Sequence, residues 1–345
     1  MSRVGVLSHA GCPVEAGVPE REISVLIPTY RYADKVGRAV DSALASGAGE
    51  VIVVDDHSRD GTLDVLSSYR DTRLQVFENA TNLGLWENHR AALCRATRPW
   101  IKFLQADDYL LPGGLAAFAR AAAPGVSVVW GCALVRDDVT GATMQYHHLD
   151  RPHRLTGPEV LEASLAIGWL LGTPSHMMLR RDALPTDAAA WQAGVSADVI
   201  MGAVAAARGD VALLPSGAIG QGAHARQDAK TQGHARGLRR MVATSAYLAV
   251  RPEPVVQRFA RLWAVMNRPV ARRTALGGVL RGGLSWREAV ALLAHNHALG
   301  RAVARDRALL SGARAYRRAT RAPLDLAAVL ERGAVGALAQ PDRTL

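Results

Sequence analysis

Two short apolar runs set the strongest limit on what this chain can fold into. Ile23-Ser24-Val25-Leu26-Ile27 runs into Pro28, and Val51-Ile52-Val53-Val54 runs into Asp55. Near-continuous β-branched runs of this length are the pattern of strands covered on both faces of a parallel sheet. Between them, Val36, Val40, Ala43 and Leu44 recur at helical spacing. Strand, helix, strand in that order predicts a right-handed βαβ unit. The alternation continues. A helix follows Asp60-Gly61-Thr62, with Asp60 or Thr62 as its cap. Then come a strand over 74–77, a helix over 85–96, a strand over 100–104, a helix from Pro112 and a strand over 126–130. This is a doubly wound α/β layout.

From Val135 the pattern loosens. The stretches 140–154 and 217–237 read as loops, 197–207 as a helix and 211–214 as a strand. Beyond residue 234, Ala/Leu/Arg helices are expected, broken at Pro252, Pro254, Pro269 and the Gly277-Gly278 and Gly282-Gly283 pairs.

Ligands of open α/β sheets sit beyond the carboxyl ends of the strands. Three polar clusters stand there: Pro28-Thr29-Tyr30, Asp55-Asp56-His57-Ser58 and Gln105-Ala106-Asp107-Asp108. Adjacent carboxylates at a strand end repel each other unless a cation is near. A hard divalent ion shared between one or two carboxylates and substrate phosphates is one solution. A helix cap before Pro112 is the other reading of Asp108, and a turn with a cap is the other reading of Asp55-Asp56. No G-x-G-x-x-G follows the first strand, which argues against a dinucleotide-dependent oxidoreductase. His147-His148 and His295-Asn296-His297 lack a spaced carboxylate partner and read as surface.

Order and spacing together resemble family 2 glycosyltransferases. The residues that carry the resemblance are Val25 to Tyr30, Val51 to Thr62, Asn82-Leu83-Gly84 and Phe103 to Pro112. It is strong over residues 22–130, moderate to 233 and absent beyond. It implies a GT-A fold, a Rossmann-like and mostly parallel sheet, with a C-terminal helical extension. It also implies inverting transfer from a nucleotide-sugar with Mg²⁺ or Mn²⁺. By position, Pro28, Thr29 and Tyr30 would line the nucleotide pocket, and Asp56 would hold the base with Asp55 beside it. Asn82, Gly84 and Asn88 would shape the diphosphate side. Asp107 would approach the sugar or ribose and Asp108 would bind the metal, with Gln105 where many members have Asp. Gly172 to Arg181 resembles the acceptor-side segment. Asp198 would be the general base, preceded by Ala197 where the family usually has Glu; a first-turn helix acid is the plainer reading of it. His224 would contact metal or diphosphate and Arg226 a phosphate, with an exposed loop as the alternative. The implied donor is a UDP-sugar and the acceptor a saccharide or lipid-linked saccharide. A non-catalytic nucleotide-sugar-binding scaffold of the same fold is the competing reading, allowed by Gln105 and Ala197.

The division expected is an arm over 1–21, a catalytic domain over 22–233 and a basic helical region over 234–345. From Ala235 onward there are 20 Arg, no Lys and 6 acidic residues, a net +14 against −4 for the rest. An anionic partner for that region follows. A membrane surface fits, by peripheral contact, or the helices pack as a bundle with snorkelling Arg stems. Nucleic acid is not expected, since no recognised motif and few aromatics for stacking are present. Three scattered Cys, no apolar run of membrane-spanning length and no secretory signal point to the cytoplasm, at most peripheral on the membrane's cytoplasmic face.

Overall fold

In the computed structural model every residue of Ile23–Thr29 (β1) and Glu50–Asp55 (β2) is buried, as the apolar runs predict. The structure describes residues 17–301 apart from 138, 139, 146, 150 and 225–232, together with 306, 309–314, 324 and 325. The helix Val36–Ala45 (α1) joins β1 to β2, which pair in parallel. Thr62–Ser67 (α2) leads to Leu74–Glu78 (β3), and Leu85–Leu93 (α3) to Trp100–Phe103 (β4). A two-residue strand, Tyr109–Leu110 (β5), precedes Gly114–Ala121 (α4) and the long strand Val126–Asp137 (β6).

The second half adds strands of the opposite sense. Thr143–Gln145 (β7), His147–His148 (β8) and His153–Leu155 (β9) are short. Gly157–Ile167 (α5) carries a capping box from Thr156 and Glu159. Met177–Arg180 (β10), Ala197–Ala206 (α6) and Asp210–Ala223 (β11) follow. The sheet order is β3-β2-β1-β4-β10-β6-β11-β5, with β7 on β6 and β9 on β11. β10 lies antiparallel between β4 and β6, while β11 runs parallel to β6. β8 pairs with Leu324–Asp325 (β12) in a separate two-stranded sheet.

Three expectations are corrected here. The stretch 140–154, expected as a loop, carries β7, β8 and most of β9, which pair with β6, β12 and β11. The stretch expected as a loop from Gly217 is strand as far as Ala223, because Ile219 to Ala223 continue the ladder with Ala133 to Asp137. The Gly277-Gly278 pair does not break a helix. Both glycines are buried inside Arg268–Leu280, and a Cβ on Gly278 would stand 2.6 Å from the Leu284 side chain, so the glycine makes room for Leu284.

The C-terminal helices are His234–Ala249 (α7), Pro254–Met266 (α8), Arg268–Leu280 (α9) and Trp286–Leu299 (α10). Pro254 and Pro269 stand in the first turns of α8 and α9, where a missing N–H costs nothing. Leu248, Val256, Phe259 and Leu262 join the sheet's own core, packed with residues such as Trp130 and Leu213. α9 and α10 instead close a small separate cluster with Leu238 and Val242 of α7. At the other end, Val18 N–H donates to Ala119 O at 3.0 Å, so the chain is docked ahead of β1.

Candidate active site

The parallel strands β2, β1 and β4 end side by side, and the three polar clusters meet at that edge. Asp56 N–H donates to Thr29 O at 2.9 Å, tying the first cluster to the second. Asp55 is fully buried; its carboxylate accepts from Ser58 N at 2.9 Å and from the Ser58 hydroxyl. Ser58 Oγ in turn accepts from Arg31 N at 2.8 Å. Arg31, His57 and Arg59 all have positive φ, so the two turns here are tightly wound. Tyr30 stands half out of the surface beside them, 39% exposed.

Asp56 is almost wholly engaged. Its Oδ1 accepts from Asn79 Nδ2 and Leu83 N, both at 2.8 Å, and its Oδ2 from Gly84 N at 2.8 Å. Asn82 Nδ2 donates to Asp56 O at 3.2 Å. Gly84 has φ +88, a conformation a side chain would resist, which turns its N–H onto the carboxylate. Asn88 is buried and donates to Val54 O at 3.0 Å and Thr29 O at 3.3 Å, clamping the ends of β1 and β2. It accepts from Asn79 at 2.9 Å. Asp56, Asn82, Gly84 and Asn88 are thus one network that shapes the loop beyond β3. Asn79, which completes it, was not singled out in the sequence; its position just past the end of β3, one residue after Glu78, the partner of Asp55, was the available signal.

The acidic pair is held from three sides. From α1, Arg38 donates to Asp107 O at 2.9 Å and lies 4.4 Å from the centre of the Tyr109 ring. β5 pairs with β11, which brings Gly222 N to Asp108 Oδ1 at 3.2 Å. One step past the strand, His224 Nε2 lies 2.9 Å from Asp107 Oδ2, with Tyr32 edge-on to its ring. His224 therefore meets Asp107 rather than Asp108. On the third side stands Ser175, just ahead of β10. It accepts from Gln105 N at 2.9 Å and hydrogen-bonds the Asp108 carboxylate. Because β10 is antiparallel to β4, its entry lies at β4's exit, which puts Ser175 next to Gln105.

Burial first, and the neighbouring Asp107 second, push the Asp108 carboxyl up to about 8. Beneath it Lys102 is fully buried. Its ammonium donates to Phe103 O at 3.1 Å, to Ser175 O and to Met177 O at 3.4 Å, and sits over the Phe118 ring. Burial lowers its pKa to about 7, against the pull of Asp108. The sequence analysis did not select Lys102; a charged residue inside an apolar strand was the signal. Gln105 has a different partner from the acids. Its side chain lies 2.8 Å from Nε2 of the buried His89, whose Nδ1 is 2.6 Å from Leu85 O. A carbonyl only accepts, so the proton sits on Nδ1. Burial drops this imidazole to about 4, so it is neutral.

Asp198 lies in the first turn of α6, partly buried. Arg226 falls outside the described residues. Among the described residues no three acidic, His or Cys side chains form a ready metal cage. The donor set still suits a hard divalent ion of the kind that binds one or two carboxylates and completes its shell with phosphates and water. Asp108 supplies an enclosed carboxylate, Asp107 and His224 a second carboxylate and an imidazole.

A mostly parallel sheet with acids at its carboxyl edge and a returning antiparallel strand defines the GT-A class. S. aureus TarS (residues 1–349), solved with UDP-GlcNAc, has the same fold, with a TM-score of 0.62 at 17% identity over 86% of this chain and 88% of that one. Residues 24–186, just under half of the chain, match the model of Glycosyl transferase family 2. An uncharacterized Mycobacterium tuberculosis protein is 29% identical over 174 residues, 46% of this chain and 53% of that protein. Escherichia coli WfaP, named a UDP-Glc:alpha-D-GlcNAc-diphosphoundecaprenol beta-1,3-glucosyltransferase, is 33% identical over 89 residues, 25% of this chain and 36% of WfaP. The chain spans about half or less of the length of the curated relatives it matches.

Proposed function

We propose that the chain is an inverting glycosyltransferase that moves a sugar from a nucleoside-diphosphate donor, a UDP-sugar, to an acceptor hydroxyl in bacterial surface-glycan or glycolipid synthesis. The observation that carries this is the enclosed pair Asp107-Asp108, braced by β10 and β11 at the edge where β1, β2 and β4 end. The names of WfaP and of TarS with its UDP-GlcNAc support the donor, and WfaP's name supports a lipid-linked acceptor.

In this reading Pro28, Thr29, Tyr30 and Asp55 line the nucleoside side, and the Asp56 network holds the 82–84 loop against the diphosphate. Asp198 takes the proton of the acceptor hydroxyl as that oxygen attacks the anomeric carbon. The anomeric bond to the diphosphate breaks on the opposite face, so the configuration inverts. Mg²⁺ or Mn²⁺ at Asp108 would neutralise charge growing on the departing diphosphate. His224 and Arg226 would add donors there. Gln105 and Ala197 do not argue for a scaffold alone, since Gln105 is occupied by His89. The working site would be cytoplasmic, and the basic C-terminal region would bring the protein to a membrane bearing the acceptor.

Replacing Asp198 with Asn removes the base and little else. Transfer from UDP-sugar should fall by about a thousandfold, in the usual range for a lost general base, while UDP binding measured by calorimetry stays. Full turnover in that variant would reject the assignment.

A further inference from the structure

The α9–α10 hairpin has an unusual outer surface. Leu280, the last residue of α9, is 73% exposed, and Trp286, the first of α10, is 63% exposed. Val290, one turn on, is 61% exposed, and Leu276, one turn back, is 49% exposed. Large apolar side chains clustered this way on a soluble surface mark a contact site. Arg272, Arg273, Arg281 and Arg287 are exposed on the same two helices and their turn. Between Arg268 and Arg301 the single acidic residue is Glu288, and Arg239 holds it at 2.6 Å. The hairpin tip is therefore apolar, with a one-signed cationic collar. Its attachment is firm, through the small core it shares with α7.

We propose that this tip docks in the interface of an anionic lipid bilayer. Trp286, Leu280, Leu276 and Val290 enter the headgroup–acyl boundary and the arginines pair with lipid phosphates. The occupant is chosen by chemistry. Nucleic acid would satisfy the arginines but leave Leu276, Leu280 and Val290 in water. A second copy of this face would cover them but oppose one arginine collar to another. An anionic bilayer satisfies both sets at once, with Trp at the depth it favours. The inference rests on the membrane-contact part of the functional reading and gives it an address.

Co-sedimentation with vesicles of phosphatidylcholine, with and without phosphatidylglycerol, tests it with the full chain. The wild type should pellet with the anionic vesicles and not with phosphatidylcholine alone. Leu280→Ser/Trp286→Ser and Arg281→Gln/Arg287→Gln should each weaken that binding roughly tenfold or more, the arginine pair by removal of about two phosphate contacts. Val250→Ser, an exposed apolar change elsewhere, should leave it unchanged. Circular dichroism checks that each variant is folded. No sedimentation of the wild type would overturn the membrane reading as a whole. Wild-type binding that both hairpin variants retain would overturn the hairpin alone. Equal competition by duplex DNA against both variants, or dimerisation lost in the Leu280/Trp286 variant, would also overturn it.

Discussion

Asp56→Ala is the substitution that separates a strut from a ligand contact. The Asp56 carboxylate accepts from Asn79 Nδ2, Leu83 N and Gly84 N. Hydrogen bonds to a charged group contribute about 1.5–3 kcal/mol each, so a plain sum over three runs to about 4.5–9 kcal/mol. That sum is too large. Asn82 and Leu83 are exposed and Gly84 is partly so, and water can reach the two backbone N–H groups once the carboxylate is gone. Only Asn79 is buried, and it keeps its bond to Asn88. The expected loss is therefore about 2–3 kcal/mol. It should appear as a lower urea midpoint and as faster hydrogen exchange at Leu83 and Gly84, with strands β1 and β2 still protected. Asp56→Asn keeps one acceptor oxygen and should lose about 1 kcal/mol. An unshifted midpoint and unchanged exchange in Asp56→Ala would refute the strut and leave nucleotide contact as the residue's sole role.

Two further outcomes follow from buried charge. Lys102→Met strands the carbonyls of Ser175 and Met177 and removes the cation under Asp108; it should cost roughly 2–4 kcal/mol by urea unfolding and lower turnover more than it raises KM for donor. A near-neutral stability change would mean the ammonium is not bracing β10 against β4. His89 is neutral in the fold, with a pKa of about 4, below the usual 6.5. The unfolded chain therefore binds the extra proton between those values, and stability falls as pH drops through that window, by about 3 kcal/mol in full. His89→Gln should flatten that part of the pH profile, whatever it does at pH 8; an unaltered slope would place the proton elsewhere.

The sheet's first half was legible because β1 and β2 are buried, largely β-branched runs and each helix keeps its spacing. The acid pair was legible too, since its position at a strand end is local information. The far half of β11 was not, and although Gly172 to Arg181 reads as a turn and a half-buried strand, the place of β10 between β4 and β6 was not either. Gly217 to Ala223 is mixed in character, and what makes it a strand is the partner across the ladder. The bracing roles of Lys102 and Ser175 depend on the placement of β10. The glycine pair in α9 misled for the same reason: its cost in helix propensity is outweighed by a close helix contact that no local window contains.

The reversed strand β10 also sets an order of events. Only the two-residue β5 and α4 separate β4 from β6 in the chain, yet their shared slot in the sheet belongs to a strand made later. During synthesis the growing sheet must wait with that slot unfilled until the chain passes Arg180. Until then the Lys102 ammonium has no Ser175 or Met177 carbonyl to meet, and β4 offers an open hydrogen-bonding edge. The step that joins the two halves of the sheet is a distant contact, the slow kind. The same step delivers Ser175 to Asp108, while Gly222 and His224 reach the acid pair only once β11 follows.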